Sequence, residues 1–65
     1  MAFAEKLKEL RRQKGMTQSE LAKLLNMQRS TLGMYETGKR EPNFEILNMF
    51  ANFFNVDMNT LMDMN

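Results

Sequence analysis

The sequence contains no cysteine and no histidine, and only one proline and three glycines among 65 residues. Without cysteine there is no disulfide and no thiolate to hold a metal or attack a substrate. Without histidine, the side chain that titrates near neutral pH, and the commonest metal ligand, is also missing. No carboxylates are spaced as metal ligands, and no glycine-rich loop is placed to cradle a phosphate, so neither an enzyme, a metal site nor a cofactor is expected. No apolar run approaches the ~20 residues a helix needs to span a bilayer, so no membrane association is expected. Glu5, Lys6, Lys8 and Glu9 interrupt the stretch where a signal peptide would be apolar. A cysteine-free chain of this kind suits a reducing cytoplasm. The length points to a single domain, 1–65; a domain near this size buries roughly 60% of its unfolded surface and folds with little margin.

The formal net charge is only +1, but the charges are segregated. Residues 1–40 carry all nine basic and four acidic side chains, net +5, whereas residues 41–65 carry four acidic side chains and no basic one, net −4. Such a split fits a molecule with one side facing a polyanion and the other turned away, and it also fits simple solvation.

Apolar spacing predicts helices throughout. Over 2–14, Phe3, Leu7 and Leu10 recur at i, i+4, i+7. Gly15 closes this segment, and Met16 is placed to pack behind it. Thr17 and Glu20 form a capping box, in which the hydroxyl accepts the N–H three residues on and the carboxylate reaches back. Leu21, Ala22 and Leu25 then line one face of a helix over 18–25, with Leu24 left exposed. Asn26 tolerates the left-handed conformation that ends helices. A further helix over 28–36 turns only Leu32 and Tyr35 to the core, with Met27 packing at the turn before it. Gly33 within it costs about 0.8–1.0 kcal/mol relative to alanine. Either close approach of its backbone to DNA or to a neighbouring helix, or drift on an exposed face, accounts for it. Gly38 and Pro42 punctuate a loop, and Asn43 caps a helix over 44–54 whose core stripe is Phe44, Leu47, Phe50, Ala51 and Phe54. Asn55 ends it, and Asp57 caps a short fifth helix holding Leu61. The eight methionines include Met49, Met58, Met62 and Met64 near the C-terminus, where the side chain fills gaps or lines adaptable surfaces.

The middle of the chain is therefore a pair of short helices joined by a tight turn at Asn26. The second helix packs by one thin edge and offers polar groups outward, which suits insertion into a groove. The string TQSELAKLLNMQRSTLGMYETGKREPNFEIL resembles the helix-turn-helix of the phage Cro/CI-type repressors, the XRE-like regulators. The similarity runs from Leu7 to Leu61 and rests on Thr-Gln opening the second helix, Leu-Ala within it, Tyr-Glu-x-Gly-Lys after the third, Pro42, and Ala51 before a closing apolar run.

That resemblance implies an all-α, five-helix DNA-binding domain and a regulator, a repressor on a palindromic operator, with double-stranded DNA as partner. It implies base reading by Gln28, Arg29, Ser30 and Met34, phosphate contacts from Gln18, Lys39 and Arg40, and a structural ion pair between Arg11 and Glu36. The chemistry allows each: Arg is bidentate to guanine, Gln to adenine, Ser serves either, and Met meets a thymine methyl. Arg29 has three readings: it reads a guanine, it bonds a phosphate, or it braces Gln18. A second apolar row, Ile46, Met49 and Phe53, with Met58, Leu61 and Met62 close by in sequence, suggests a homodimer through the acidic half. The alternative function is an antitoxin or anti-regulator whose main task is to bind a protein partner.

Overall fold

In the computed structural model, residues 3–62 are described; Ala2 at the start of the expected first helix, and Met64, lie outside them. Five helices follow one another: α1 Phe3–Gln13, α2 Gln18–Leu24, α3 Arg29–Thr37, α4 Phe44–Phe54 and α5 Met58–Met62. No strand occurs among the described residues.

The helix ends follow from their local chemistry. Thr17 Oγ1 accepts from Glu20 N at 3.1 Å while Glu20 Oε1 accepts from Thr17 N at 2.8 Å, completing the capping box. Asn43 Oδ1 accepts from Ile46 N at 2.9 Å, and Asp57 Oδ1 accepts from Thr60 N at 2.6 Å. Gly15, Asn26, Gly38 and Asn55 stand at φ between 57° and 80°, the left-handed conformation in which a helix stops and its last carbonyls find donors.

Each helix sends one fully buried large side chain to the centre: Leu7, Leu21, Leu32, Phe50 and Leu61. Burial of each is worth about 1.5–3 kcal/mol, so the five short elements are held by a common core. Phe3, Tyr35 and Phe50 form an aromatic triangle with centroids 5.9–6.4 Å apart, joining α1, α3 and α4. The α1 helix packs on α3 and α5, α2 on α3, and α4 on α5. Leu10, Met16, Leu25, Met27 and Leu47 pack half-buried around this centre, and Leu24 is exposed as expected.

Three expectations are corrected. Phe44, assigned to the α4 core stripe, is 70% exposed; it is the first residue of its helix and projects before the core begins. Leu61, placed at a dimer contact, is wholly buried, so it anchors α5 within its own chain and has no surface to offer a second copy. The third helix, expected over 28–36, runs Arg29–Thr37; Gln28 stands at the cap position, where the family resemblance puts it, and makes no side-chain cap hydrogen bond.

Candidate nucleic-acid interface

The turn between α2 and α3 is built from backbone. Leu25 caps α2, Asn26 takes φ 58°, and Met27 N donates to Ala22 O at 2.9 Å while Asn26 N donates to Lys23 O at 3.2 Å. This double closure reverses the chain within a few residues and sets α3 against α2.

The α3 helix has two unlike sides. Leu32, Tyr35 and Glu36 are buried against the body. Ser30, Gly33 and Thr37, at spacings of three and four, lie on the opposite arc with Arg29 and Met34 beside them. Gln28, Arg29 and Ser30 are exposed and Met34 is half-buried. Gln28 makes no side-chain cap hydrogen bond, so its amide keeps both donor and acceptor capacity. Gly33 lies in this outward arc, and a Cβ there would meet nothing within 4 Å. No neighbouring helix requires a glycine at this position.

Arg29 is the first residue of α3, whose opening turn holds no acidic side chain. A cation at a helix N-terminus opposes the dipole, typically by 0.3–1 kcal/mol. Its guanidinium Nη1 donates to Gln18 Oε1 over a long 3.4 Å. Gln18 in turn donates from Nε2 to Glu36 Oε1 at 3.0 Å. Glu36, with no side-chain exposure, accepts from Arg11 Nε at 2.7 Å and Arg11 Nη2 at 3.1 Å. Arg11 also donates from Nη1 to Met16 O at 2.7 Å. The Arg11–Glu36 pair is thus a two-pronged, largely buried tie between α1 and α3, and Gln18 and Arg29 extend it to the surface. The link from Gln18 to Glu36 had no signal of its own in the sequence, because 18 residues separate the two.

Lys39 and Arg40 follow directly. Gly38 caps α3 at φ 80°, and both Lys39 N and Arg40 N donate to Met34 O, at 3.0 and 3.3 Å. Their exposed side chains are therefore carried on a loop tied to the end of α3, with the Arg40 guanidinium 5.7 Å from the Tyr35 ring centroid. Ile46, Met49, Phe53, Met58 and Met62 are half-buried. Lys14 Nζ lies 5.9 Å from the Phe53 ring centroid, and Phe54 packs edge-on to Phe53 at 5.0 Å. Among the described residues no group of three or more acidic, cysteine or histidine side chains could hold a metal ion, and no helix is long and apolar enough to cross a membrane.

A family model described as helix-turn-helix matches residues 7–61. The chain is 40% identical over 62 residues to the HTH-type transcriptional activator BcrR of Enterococcus faecalis, covering 95% of this chain and 30% of that protein. It is 37% identical over 60 residues to the uncharacterized HTH-type transcriptional regulator YqaE of Bacillus subtilis, covering 92% and 52% respectively. With ImmR, an HTH-type transcriptional regulator of the same organism, identity is 36% over 62 residues, covering 95% and 49%. The chain thus spans between about a third and a half of the length of these relatives.

Proposed function

Because the chain belongs to the XRE-like, Cro/CI-type helix-turn-helix family of DNA-binding transcriptional regulators, we propose that residues 1–65 form one domain that acts as a repressor. In this reading it binds a palindromic operator as a homodimer, with α3 in the major groove. The observation that carries the reading is the outward side of α3: its opening residues Gln28, Arg29 and Ser30 stand exposed, backed by a buried edge, and the first helical residue is an arginine that the helix dipole disfavours. An unfavourable local choice whose only side-chain hydrogen bond among the described residues is the long one to Gln18, at 3.4 Å, marks a functional position.

Gln28, Arg29, Ser30 and Met34 read bases, and Arg29 reads a guanine. Its fork of donors matches the O6 and N7 acceptors, the commonest specific contact in the major groove. Lys39 and Arg40 neutralise phosphates from the loop tied to Met34 O. Gln18 offers the Nε2 proton that Glu36 does not take. The protomer measures 30 × 23 × 19 Å, so two copies fit side by side on half-sites one helical turn, about 34–36 Å, apart. Ile46, Met49, Phe53, Met58 and Met62 form the two-fold contact; Leu61 takes no part. A dimer across a promoter represses by occlusion.

Two measurements test this. Selection from a random DNA pool enriches an inverted repeat; an asymmetric motif removes the two-fold reading, as does wild-type protein that sediments as a monomer at high micromolar concentration with and without that DNA. On the selected site, Arg29→Ala loses about 1–3 kcal/mol and accepts any base at one position of each half-site. An equal loss on cognate and scrambled DNA makes Arg29 a phosphate contact instead.

A further inference from the structure

Eight of the 65 side chains are methionine, while cysteine, histidine and tryptophan are absent and the one tyrosine, Tyr35, is 3% exposed. A two-electron oxidant therefore meets thioethers and little else that reacts quickly. The thioethers are unevenly placed. Met16 and Met27 pack half-buried against the core, and Met34 lies on α3. Met49, Met58 and Met62 lie half-buried on α4 and α5. By helix spacing Met49 stands with Ile46 and Phe53, between the buried face of α4 at Phe50 and Phe54 and its exposed polar face at Asn48 and Asn52. Met58 and Met62, one turn apart, share a side of α5, which packs on α4. Three of the five side chains assigned to the two-fold contact are thus thioethers. Lys14 Nζ, 5.9 Å from the Phe53 ring centroid, sets a cation at the edge of this row. Residues 41–65 hold acidic side chains and no base. In a self-complementary contact, Lys14 of each copy therefore complements the acidic half of the other, which favours a second copy of this chain as the occupant.

We propose that Met49, Met58 and Met62 are oxidation sites that control the two-fold contact: hydrogen peroxide converts them to sulfoxides, and the modified protein stays monomeric and leaves its operator. The sulfur lone pair attacks one peroxide oxygen and the O–O bond breaks. Sulfur keeps that oxygen and is oxidised by two electrons, and the other oxygen departs as water with both protons. A sulfoxide oxygen accepts hydrogen bonds, and the neighbours this row offers it, Ile46 and Phe53, have no side-chain donor. Burying it against a second copy weakens association by roughly tenfold to a hundredfold. A small oxidant reaches half-buried sulfurs in the free protomer and is excluded where a second copy covers them. Oxidation therefore captures dissociated protein, and operator DNA, by holding the dimer, protects it. Losing the partner removes one of two linked half-site contacts, so affinity for the operator falls although α3 is unchanged.

This inference rests on the homodimer reading, and the test separates the two. Wild type and a triple variant, Met49→Leu with Met58→Leu and Met62→Leu, are sedimented without DNA before and after treatment with hydrogen peroxide. Omitting DNA keeps any effect of oxidised Met34 out of the readout. Mass mapping of peptides locates each added oxygen, and circular dichroism follows the helices. Leucine is close to methionine in volume and cannot be oxidised, so the triple variant should dimerise as wild type does. Peroxide should raise the dimer dissociation constant of wild type by roughly tenfold to a hundredfold, with oxygen on the three sulfurs and the helical signal kept. The triple variant should stay dimeric. Should it fail to fold or dimerise, the wild-type arm with its mass map decides alone. Wild type that remains dimeric after treatment overturns the oxidation control and leaves the two-fold contact standing. So does a triple variant that peroxide dissociates, because the responsible side chain is then elsewhere, and so does loss of the helical signal, which makes the effect one on the core. Wild type that is monomeric before treatment overturns the homodimer itself.

Discussion

Replacing Gly33 by alanine should make the protein more stable, by an amount the structure lets one work out. The glycine lies in α3 on the outward arc, and a Cβ there meets nothing within 4 Å. The steric term is therefore nil. What remains is the backbone freedom that glycine loses on folding, about 0.8–1.0 kcal/mol relative to alanine in a helix interior. For a domain of this size that corresponds to a rise in Tm of roughly 4–8 °C per kcal/mol, large enough to read in a thermal or urea melt. Gly15 and Gly38 serve as controls. A Cβ would meet open space at both, but their φ angles are 68° and 80°. There, alanine must adopt the left-handed region, at a cost of roughly 1–2 kcal/mol. The same substitution in the same empty surroundings should thus stabilise at position 33 and destabilise at 15 and 38. A fall in stability for Gly33→Ala, or a rise at either control, would refute the reasoning. DNA affinity on the same variant adds a second reading. Tighter folding with weaker binding is the signature of DNA backbone lying against Gly33, whereas unchanged binding makes the glycine a tolerated defect on an open face.

Removing Glu36 is expected to be severe. Glu36→Ala leaves the Arg11 guanidinium, only 11% exposed, without its carboxylate, and breaking a buried pair from one side costs about 3–5 kcal/mol; a urea midpoint close to that of wild type would show the pair to be incidental. Asp57, held below the ordinary carboxylate range by its hydrogen bonds from Thr60, favours folding above that range, and the contribution is lost as the pH falls through its lowered folded value. Asp57→Asn should therefore give a shallower acid limb in a stability–pH profile, and an unchanged limb excludes the cap as its cause. Lys39→Ala and Arg40→Ala should each weaken binding to every DNA sequence alike and flatten the plot of log affinity against log salt by about 1; a variant with an unaltered slope is not at a phosphate.

Local features of this fold were legible without coordinates because their causes are local. A capping box needs only Thr17 and Glu20, three residues apart. A left-handed stop needs only glycine or asparagine, as at Gly15, Asn26, Gly38 and Asn55. Periodicity named Leu7, Leu21, Leu32 and Phe50 as core, and the same string carried the family resemblance and hence DNA binding. Tertiary structure decided what periodicity cannot. It placed Phe44 outside, because a stripe gives the face of a helix and not how far the neighbouring helices extend along it. It placed Leu61 wholly inside, because the depth of a five-residue helix depends on α1 and α4 closing over it. It also showed that nothing crowds Gly33, and it joined Arg11, Glu36, Gln18 and Arg29 into one chain. Those four residues come from three helices and lie 11 to 25 positions apart along each contact. A hydrogen bond forms over about 3 Å, so whether they meet depends on how the helices pack, a property of the assembled core that no short window of sequence contains.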